Sequence, residues 1–163
     1  MERDSTRVTN MTSRLEYSRV APEAHRAVMG LEHYVRDCGL EHSLLELVKI
    51  RASQINGCGY CLDMHTKDAR AAGEKEQRIY VLSTWREAPF YTPRERAALE
   101  WTEVVTEMGR HGVTEDVYQR TREHFTDKEL VDLTMAVVTI NTWNRLAISF
   151  SSEVGSYRPH LAR

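Results

Sequence analysis

The chain has 163 residues, the usual size of one compact domain, and 41% of them are hydrophobic, which argues against disorder. A chain of this length buries a sizeable core without disulfide or metal staples. Its 22 basic and 24 acidic residues give a formal net charge of −2, which offers no support for a nucleic-acid or anionic membrane partner. Eight glycines and four prolines are few for a turn-rich β protein, so the composition favours helices.

The N-terminus and the cysteines indicate the compartment. Residues 1–7 contain acids and bases but no apolar run, unlike a secretory signal. The longest apolar stretch, residues 133–140, is interrupted by threonines and is too short to cross a bilayer. We therefore expect a cytoplasmic protein with no membrane partner. The three cysteines are an odd number, and in a reducing compartment a close cysteine pair is more often catalytic or metal-binding than structural.

Apolar residues recur at helical spacing along most of the chain. The first predicted helix runs from Pro22 to a stop at Gly39, and the second runs from an N-cap at Ser43 to the terminator pair Asn56-Gly57. Further helices are predicted at residues 58–72, 74–85, 93–108, 115–124 and 127–150, the last three behind caps at Thr92, Thr114 and Thr126. We predict an all-α, single-domain helical bundle over residues 21–155, between an N-terminal arm at 1–20 and a C-terminal tail at 156–163.

Two of these helices are unusually apolar. The second is apolar around most of its circumference, so it should be largely buried in the bundle. The last, at residues 127–150, has more apolar surface than a small bundle hides on one side. The excess predicts a subunit interface, and therefore a homo-oligomer.

The most informative segment runs from Glu46 to His65. Cys58 and Cys61 form a C-x-x-C pair, and His65 follows four residues after Cys61. With Cys58 at the start of the third helix, the two sulfurs and the imidazole share one helix face. The free N–H groups and partial positive charge of a helix N-terminus favour a thiolate, which is the nucleophilic form of cysteine.

A proton relay is the natural complement to this thiolate. His65 is placed to take the thiol proton directly or through a water. Glu46 lies on the preceding, nearly all-apolar helix, where a carboxylate is costly to bury without a partner. A turn at Asn56-Gly57 brings Glu46 towards His65, which it then orients. The residues thus indicate a nucleophile, a base, an orienting acid and a second cysteine that condenses with a sulfenic acid on the first.

The spacing resembles that of a known family. Glu46, eleven intervening residues, the C-x-x-C pair, three residues and His65 form the signature of the alkylhydroperoxidase D-like proteins of the carboxymuconolactone decarboxylase superfamily. Residues 56–69 and 140–146 are similar to that family as well. In the alkylhydroperoxidase D branch a histidine lies between the two cysteines, where this chain has Tyr60, and a phenol is a poor base at neutral pH.

The resemblance implies an all-helical fold that assembles as symmetric oligomers and a thiol-dependent reduction of hydroperoxides. It makes Cys61 the peroxidatic cysteine and Cys58 the resolving cysteine, with Glu46 and His65 as the relay. The implied partners are a small-molecule hydroperoxide and an external dithiol or lipoyl-type electron donor, with no bound cofactor and no metal. Decarboxylase members generally lack the cysteine pair, so lactone decarboxylation is not expected.

Other interpretations of the same residues stay open. Without catalysis, the fold would serve as a redox-sensing or scaffold protein whose disulfide alters assembly. A structural zinc site would use the cysteine pair and His65 but lacks a fourth ligand. Glu46 also fits the third position of a capping box with Ser43. The remaining chemically distinctive residues are interpreted as structural or bystanders: His25, His33, His42, His111, His124, His160, Trp85, Trp101, Trp143, Asn141, Asn144, Arg145 and Cys38.

Overall fold

The structure, a computed structural model, describes residues 13–109 and 112–159. Within these residues the chain forms helices and no strand, so the predicted all-α fold is confirmed. The helices are α1 (Tyr17–Val20), α2 (Pro22–Asp37), α3 (His42–Asn56), α4 (Gly59–Ala71), α5 (Glu76–Tyr80), α6 (Pro93–Thr106), α7 (Glu115–Arg122) and α8 (Asp127–Phe150), with a 3-10 turn at Leu82–Thr84. No helix of the described part is long and apolar enough to cross a membrane.

Helix α3 lies at the centre of the fold and packs against α4, α6 and α8. Residues 44–50 are all buried, and seven consecutive residues cover every side of a helix. The prediction of a largely buried second helix is therefore confirmed. Two charged residues, Glu46 and Lys49, are buried along with the apolar ones.

The core surrounds α3 in three clusters. One lies between α2, α3, α6 and α8, and a second joins α3, α4 and α6 to the 3-10 turn. The third is small and lies where α3, α4 and α8 meet; it contains Ala52, Cys58, Cys61, Ile140 and Ala147. The cysteine pair is therefore part of the apolar interior.

Three of the four predicted N-cap residues, Thr92, Thr114 and Thr126, are confirmed, and Ser43 is not. Thr92 and Thr126 each form a complete capping box with the glutamate three residues later. The capping box predicted at Ser43 is wrong, since α3 starts two residues earlier than predicted, at His42 behind Glu41, without a side-chain cap. Thr114 precedes α7, but its hydroxyl donates to the carboxylate of Asp116 instead of accepting from the backbone.

The helix predicted at residues 74–85 is interrupted. It consists of the short α5 and the 3-10 turn, separated at Val81. Ile79, Leu82 and Trp85 nevertheless all belong to the same core cluster.

The described parts of the predicted N-terminal arm and C-terminal tail both form hydrogen bonds with the helical bundle. Residues 1–12 and 160–163, with His160, lie outside the described residues, as does His111. The predicted arm contains α1, and the backbone N–H of Arg14 donates to the carbonyl of Phe150 at 2.9 Å. In the predicted tail, the carbonyl of Tyr157 accepts from Lys67 on α4 at 3.1 Å.

A buried amide network joins α3 to α8. The Asn56 amide donates to the side-chain carbonyls of Asn141 and Asn144, each at 2.8 Å. Asn144 is fully buried and donates in turn to the Ser53 hydroxyl at 3.0 Å. Asn141 and Asn144 therefore hold the two helices together, which is a structural role.

Replacing Asn144 with alanine should lower the free energy of unfolding by about 2 kcal/mol, because it leaves buried partners on α3 unsatisfied. Urea denaturation measures the change. Thr142→Ala is the matched control, since it shortens a polar side chain on α8 that contacts its own helix; it should change stability by less than about 0.5 kcal/mol. Equal stability of the two variants would contradict a structural role for the network.

The outer face of α8 carries exposed apolar side chains, among them Val131, Val138 and Ile148. The homo-oligomer expected from the sequence stays a prediction with this face as its interface. Sedimentation velocity at micromolar concentration should show a species larger than the 18.9 kDa monomer. Val131→Glu together with Val138→Glu should dissociate it, and a wild-type protein that sediments as a monomer would contradict the prediction.

Candidate functional site

The site is built where α3 turns into α4. Gly57 ends α3 with a positive φ of 69°, a conformation that glycine adopts without strain. The N–H of Cys58 donates to the carbonyl of Ser53 at 3.0 Å, which fixes the entry into α4. The turn is short, so α4 folds back directly against the buried face of α3.

The cysteine pair occupies the start of α4. Cys58 is the N-cap residue, and its sulfur accepts the backbone N–H of Cys61 at 3.3 Å. The two residues are joined as a disulfide, with Cα atoms 5.4 Å apart. Both are almost completely buried, but Cys61 lines a cavity and Cys58 does not. The two sulfurs therefore differ in their access to a small molecule.

Glu46 and His65 meet across the two helices. The imidazole Nδ1 lies 3.0 Å from a carboxylate oxygen of Glu46, and both side chains are buried. With Glu46 ionised, Nδ1 carries the proton and donates, which leaves Nε2 as the acceptor nitrogen. Glu46 is turned towards His65 rather than towards Ser43, so it contacts a functional partner and not its own helix end.

Glu46 is surrounded by positive and ionisable groups. Burial by itself raises the pKa of the Glu46 carboxyl, but the hydrogen bond with His65 and the neighbouring charges of His65, Lys49 and His42 outweigh it and hold the pKa below its ordinary value. The Lys49 ammonium lies 3.5 Å from the carboxylate and His42 lies 4.0 Å from it. Glu46 is thus kept as an anion in the interior.

Lys49 has a second acidic partner. Its ammonium donates to Glu32 on α2 at 2.9 Å, and the other oxygen of Glu32 accepts from the Trp143 indole at 3.1 Å. Burial by itself lowers the pKa of Lys49, but the charges of Glu46 and Glu32 prevail and raise it. The lysine is therefore charged in spite of its burial.

A cavity of about 420 Å³ opens over these groups. Its walls combine aromatic, methionine and aliphatic side chains with a smaller charged floor. The lining residues are Tyr17, His25, Met29, Glu32, Arg36, His42, Leu45, Glu46, Lys49, Tyr60, Cys61, Met64, His65, Asp68, Trp143, Ala147 and Tyr157. The volume and the apolar walls suit a small organic molecule.

The C-terminal segment closes one wall of the cavity. The hydroxyl of Tyr157 donates to the Asp68 carboxylate, with its two oxygens at 2.8 and 3.0 Å. Burial, followed by this hydrogen bond to an anion, raises the pKa of Tyr157, so the phenol stays protonated. Asp68 thereby accepts hydrogen bonds from a segment that the sequence predicts as a tail.

A group of potential metal ligands lies in the cavity. One donor atom each of Glu46, His65 and Asp68 falls within 4.8 Å of the others. However, the Lys49 ammonium already forms an ion pair with Glu46, and the Tyr157 hydroxyl already donates to Asp68. These groups supply the positive charge and protons that a cation would provide, so we assign no metal to the cluster.

The structure brings all four predicted site residues into one region. Glu46, Cys61 and His65 line the cavity, and Cys58 does not. Three interpretations are corrected, since His25, His42 and Trp143, taken as merely structural, line the cavity. The sequence does contain a signal for Lys49, which is a lysine three residues after Glu46 on an apolar helix. Residues from distant segments, such as Tyr157, have no comparable signal.

Comparison with known proteins identifies the family. Residues 22–104 match the carboxymuconolactone decarboxylase family. The uncharacterised protein YdfG of Bacillus subtilis is 43% identical over 146 residues, which cover 90% of this chain and 99% of YdfG. The alkyl hydroperoxide reductase AhpD of Bradyrhizobium diazoefficiens is 34% identical over 73 residues, which cover 45% of this chain and 37% of that enzyme.

Solved structures share the fold. The protein of unknown function ATU0492 from Agrobacterium tumefaciens, provisionally described as the antioxidant defence protein AhpD, is 46% identical with a TM-score of 0.86, over 90% of this chain and 100% of that one. The debrominase Bmp8 is 16% identical with a TM-score of 0.76, over 85% of this chain and 74% of that one, which is a likeness of fold. The fold therefore supports more than one activity. From its family match and its near full-length relatives, the chain belongs to the carboxymuconolactone decarboxylase family as an AhpD-like member.

Proposed function

We propose that the protein is a thiol-dependent peroxidase that reduces an organic hydroperoxide with Cys61 as the attacking thiolate. The observation that carries the proposal is that Cys61 lines an apolar cavity together with the hydrogen-bonded pair of His65 and Glu46. A nucleophile, a base and an orienting carboxylate in one cavity are the parts that such a reaction requires.

The first step consumes the peroxide. In the reduced protein, His65 takes the Cys61 proton, and the thiolate attacks the outer peroxide oxygen. A sulfur–oxygen bond forms while the oxygen–oxygen bond breaks, and the leaving alkoxide takes the proton back from the imidazolium. Cys61 is oxidised to a sulfenic acid and the peroxide is reduced to an alcohol. The Glu46 carboxylate stabilises the imidazolium that forms between the two proton transfers.

The second step uses the buried cysteine. Cys58 attacks the sulfur of the sulfenic acid, the disulfide forms, and hydroxide leaves as water with the Cys58 proton. The N-cap position of Cys58, whose sulfur accepts the Cys61 N–H, favours its thiolate. An external dithiol then reduces the disulfide through thiol–disulfide exchange and returns both cysteines to the thiol form. The lipoyl-type donor implied by the family resemblance belongs to this class.

The cavity walls favour an uncharged organic hydroperoxide over hydrogen peroxide. The cavity has aromatic surface that hydrogen peroxide, with only two heavy atoms, would leave unused; it comes from Tyr17, Tyr60, Trp143 and Tyr157. Among the described residues, the floor of the cavity offers no unpaired lysine to an anionic substrate, since Lys49 is held between the carboxylates of Glu46 and Glu32. Arg36 at the wall is paired with Asp37.

The non-enzymatic alternative makes a different prediction for the assembly. In a redox-sensing or scaffold protein, formation of the Cys58–Cys61 disulfide would change the assembly or a partner contact. Size-exclusion chromatography under oxidising and reducing conditions should give the same elution volume if the disulfide is a catalytic intermediate. A redox-dependent elution volume without peroxide consumption would favour the sensing role.

Stopped-flow mixing of the reduced protein with cumene hydroperoxide tests the reaction. Wild type should consume about one equivalent and form the disulfide, whereas Cys61→Ser should lose the reaction because it lacks the nucleophile. Cys58→Ser should react once and retain a sulfenic acid that dimedone traps. Cys38→Ser is the matched control and should react like wild type, since Cys38 lies outside the cavity. Equal rates for wild type and Cys61→Ser would refute the proposal.

Glu46→Gln should lower the rate of peroxide reduction about 100-fold at neutral pH, because a neutral amide does not stabilise the imidazolium.

The same variant should change the stability of the fold against acid. The lowered pKa of Glu46 stabilises the wild-type fold above the ordinary carboxyl value of 4.5, and this stabilisation is lost as the pH falls through the lower folded value. Thermal unfolding between neutral and acidic pH should therefore depend less on pH in Glu46→Gln than in wild type.

Glu100→Gln provides the control for both measurements. Glu100 pairs with Arg120 on the surface and lies outside the cavity. It should leave the rate of peroxide reduction unchanged. If both glutamine variants react at the wild-type rate, Glu46 has no part in the relay.

A further inference from the structure

Lys49 is a buried cation that the reaction steps above do not use. It lies on α3 one turn after Glu46, with only 7% of its surface exposed. Burying an ammonium is costly, and a methionine or leucine would fill this position of an apolar helix without that cost. The position of Lys49 therefore requires a reason beyond packing.

The contacts of Lys49 form part of a chain that alternates in charge. Along the wall of the cavity, the chain runs from the His65 imidazole to the Glu46 carboxylate at 3.0 Å, to the Lys49 ammonium at 3.5 Å, and to the Glu32 carboxylate at 2.9 Å. Side-chain exposure is 10% or less for the first three groups and 26% for Glu32. The chain thus leads from the reacting site to the edge of the solvent.

We propose that Lys49, held between Glu46 and Glu32, is a positioning residue that keeps Glu46 ionised and thereby fixes the tautomer of His65. Its catalytic meaning rests on the proposed peroxidase function, but its effect on Glu46 does not. In this proposal Lys49 acts on the reaction through Glu46, and it has no direct role towards Cys61 or a substrate.

The tautomer matters because the two ring nitrogens have opposite tasks. An ionised Glu46 accepts the proton on Nδ1, and Nε2 is then free to take the thiol proton. A protonated Glu46 would instead donate to Nδ1, and the neutral imidazole would carry its proton on Nε2, where it no longer acts as a base. A nearby ammonium favours the ionised carboxyl, so Lys49 protects the productive tautomer at lower pH.

Glu32 limits this effect. Its carboxylate shares the ammonium with Glu46 and is itself held by the Trp143 indole, so it keeps Lys49 in place while reducing the net positive field on Glu46. Other charged and titratable groups face the same region. His42 lies 4.0 Å from Glu46, and Arg36, Asp68 and Tyr157 line the same cavity. These groups are unchanged in the variants described below.

Carbon-13 NMR of glutamate-labelled, reduced, full-length protein measures the pKa of Glu46 directly. Its carboxyl signal is assigned by its absence in Glu46→Gln. Lys49→Met should raise the pKa of Glu46 by about one unit, which is tenfold in proton affinity, because the neighbouring ammonium is lost. Lys49→Arg should stay close to wild type, since it retains the charge. Glu32→Gln should lower the pKa of Glu46, because the competing carboxylate is removed.

A double variant covers the case in which Lys49→Met does not fold. Glu32→Gln combined with Lys49→Met removes one charge of each sign, so the net charge of the cavity is unchanged. The pKa of Glu46 should still rise in this variant, because Lys49 is the residue that contacts Glu46. Lys128→Met is the matched control, since Lys128 pairs with the buried Asp132 outside the cavity. It should leave the pKa of Glu46 unchanged.

The pH profile of Cys61 alkylation by iodoacetamide gives a second readout, resolved by peptide mass spectrometry. The acid limb of the profile should move to higher pH in Lys49→Met and to lower pH in Glu32→Gln, in parallel with Glu46. Neither measurement uses a peroxide, so failure of peroxide reduction would refute the proposed function and leave this test intact. A pKa of Glu46 that is the same in wild type, Lys49→Met and the double variant would overturn the inference.

Discussion

A carboxylate buried on an apolar helix is stable only when its charge is matched, and this constraint organises the site. Glu46 has the His65 imidazole on one side and the Lys49 ammonium on the other. Removing either partner leaves a buried anion with few other groups to offset the free-energy cost of its desolvation. The packing of α4 against α3 and the ionisation of Glu46 therefore depend on the same contact between Glu46 and His65.

The backbone turn and the amide network meet this constraint together. Gly57 allows α4 to follow α3 with only two residues between them, which brings His65 opposite Glu46. About two to three turns beyond Glu46 on α3, Ser53 and Asn56 bond to Asn144 on α8. Hydrogen bonds thus fix the register of α8 against α3, next to the small core cluster that contains Cys58 and Cys61. Apolar contacts alone tolerate sliding, whereas a paired amide does not.

The difference between the two sulfurs follows from their positions on α4. Cys58, as the N-cap residue, faces the junction of α3 and α8, while Cys61, one turn later, reaches the cavity. The aromatic walls above Cys61 come from α1, α8 and the C-terminal segment, which are remote in sequence. Such a wall supports selection of a substrate by shape and burial, and the paired charges beneath it support proton transfer.

The sequence by itself determined the helical class, most helix positions and the four residues of the motif. Those properties depend on local periodicity, capping residues and the spacing of chemically distinctive side chains, all of which a single chain displays directly. For Glu46 the sequence allowed two roles, and the tertiary structure decided for the contact with His65 over the capping box with Ser43. It also decided that helix 74–85 breaks, that His25 and His42 line the cavity, and that Tyr157 closes it. These outcomes depend on which distant surfaces are buried together, because the free energy of packing and of matching buried charges exceeds local preferences of about 1 kcal/mol per residue.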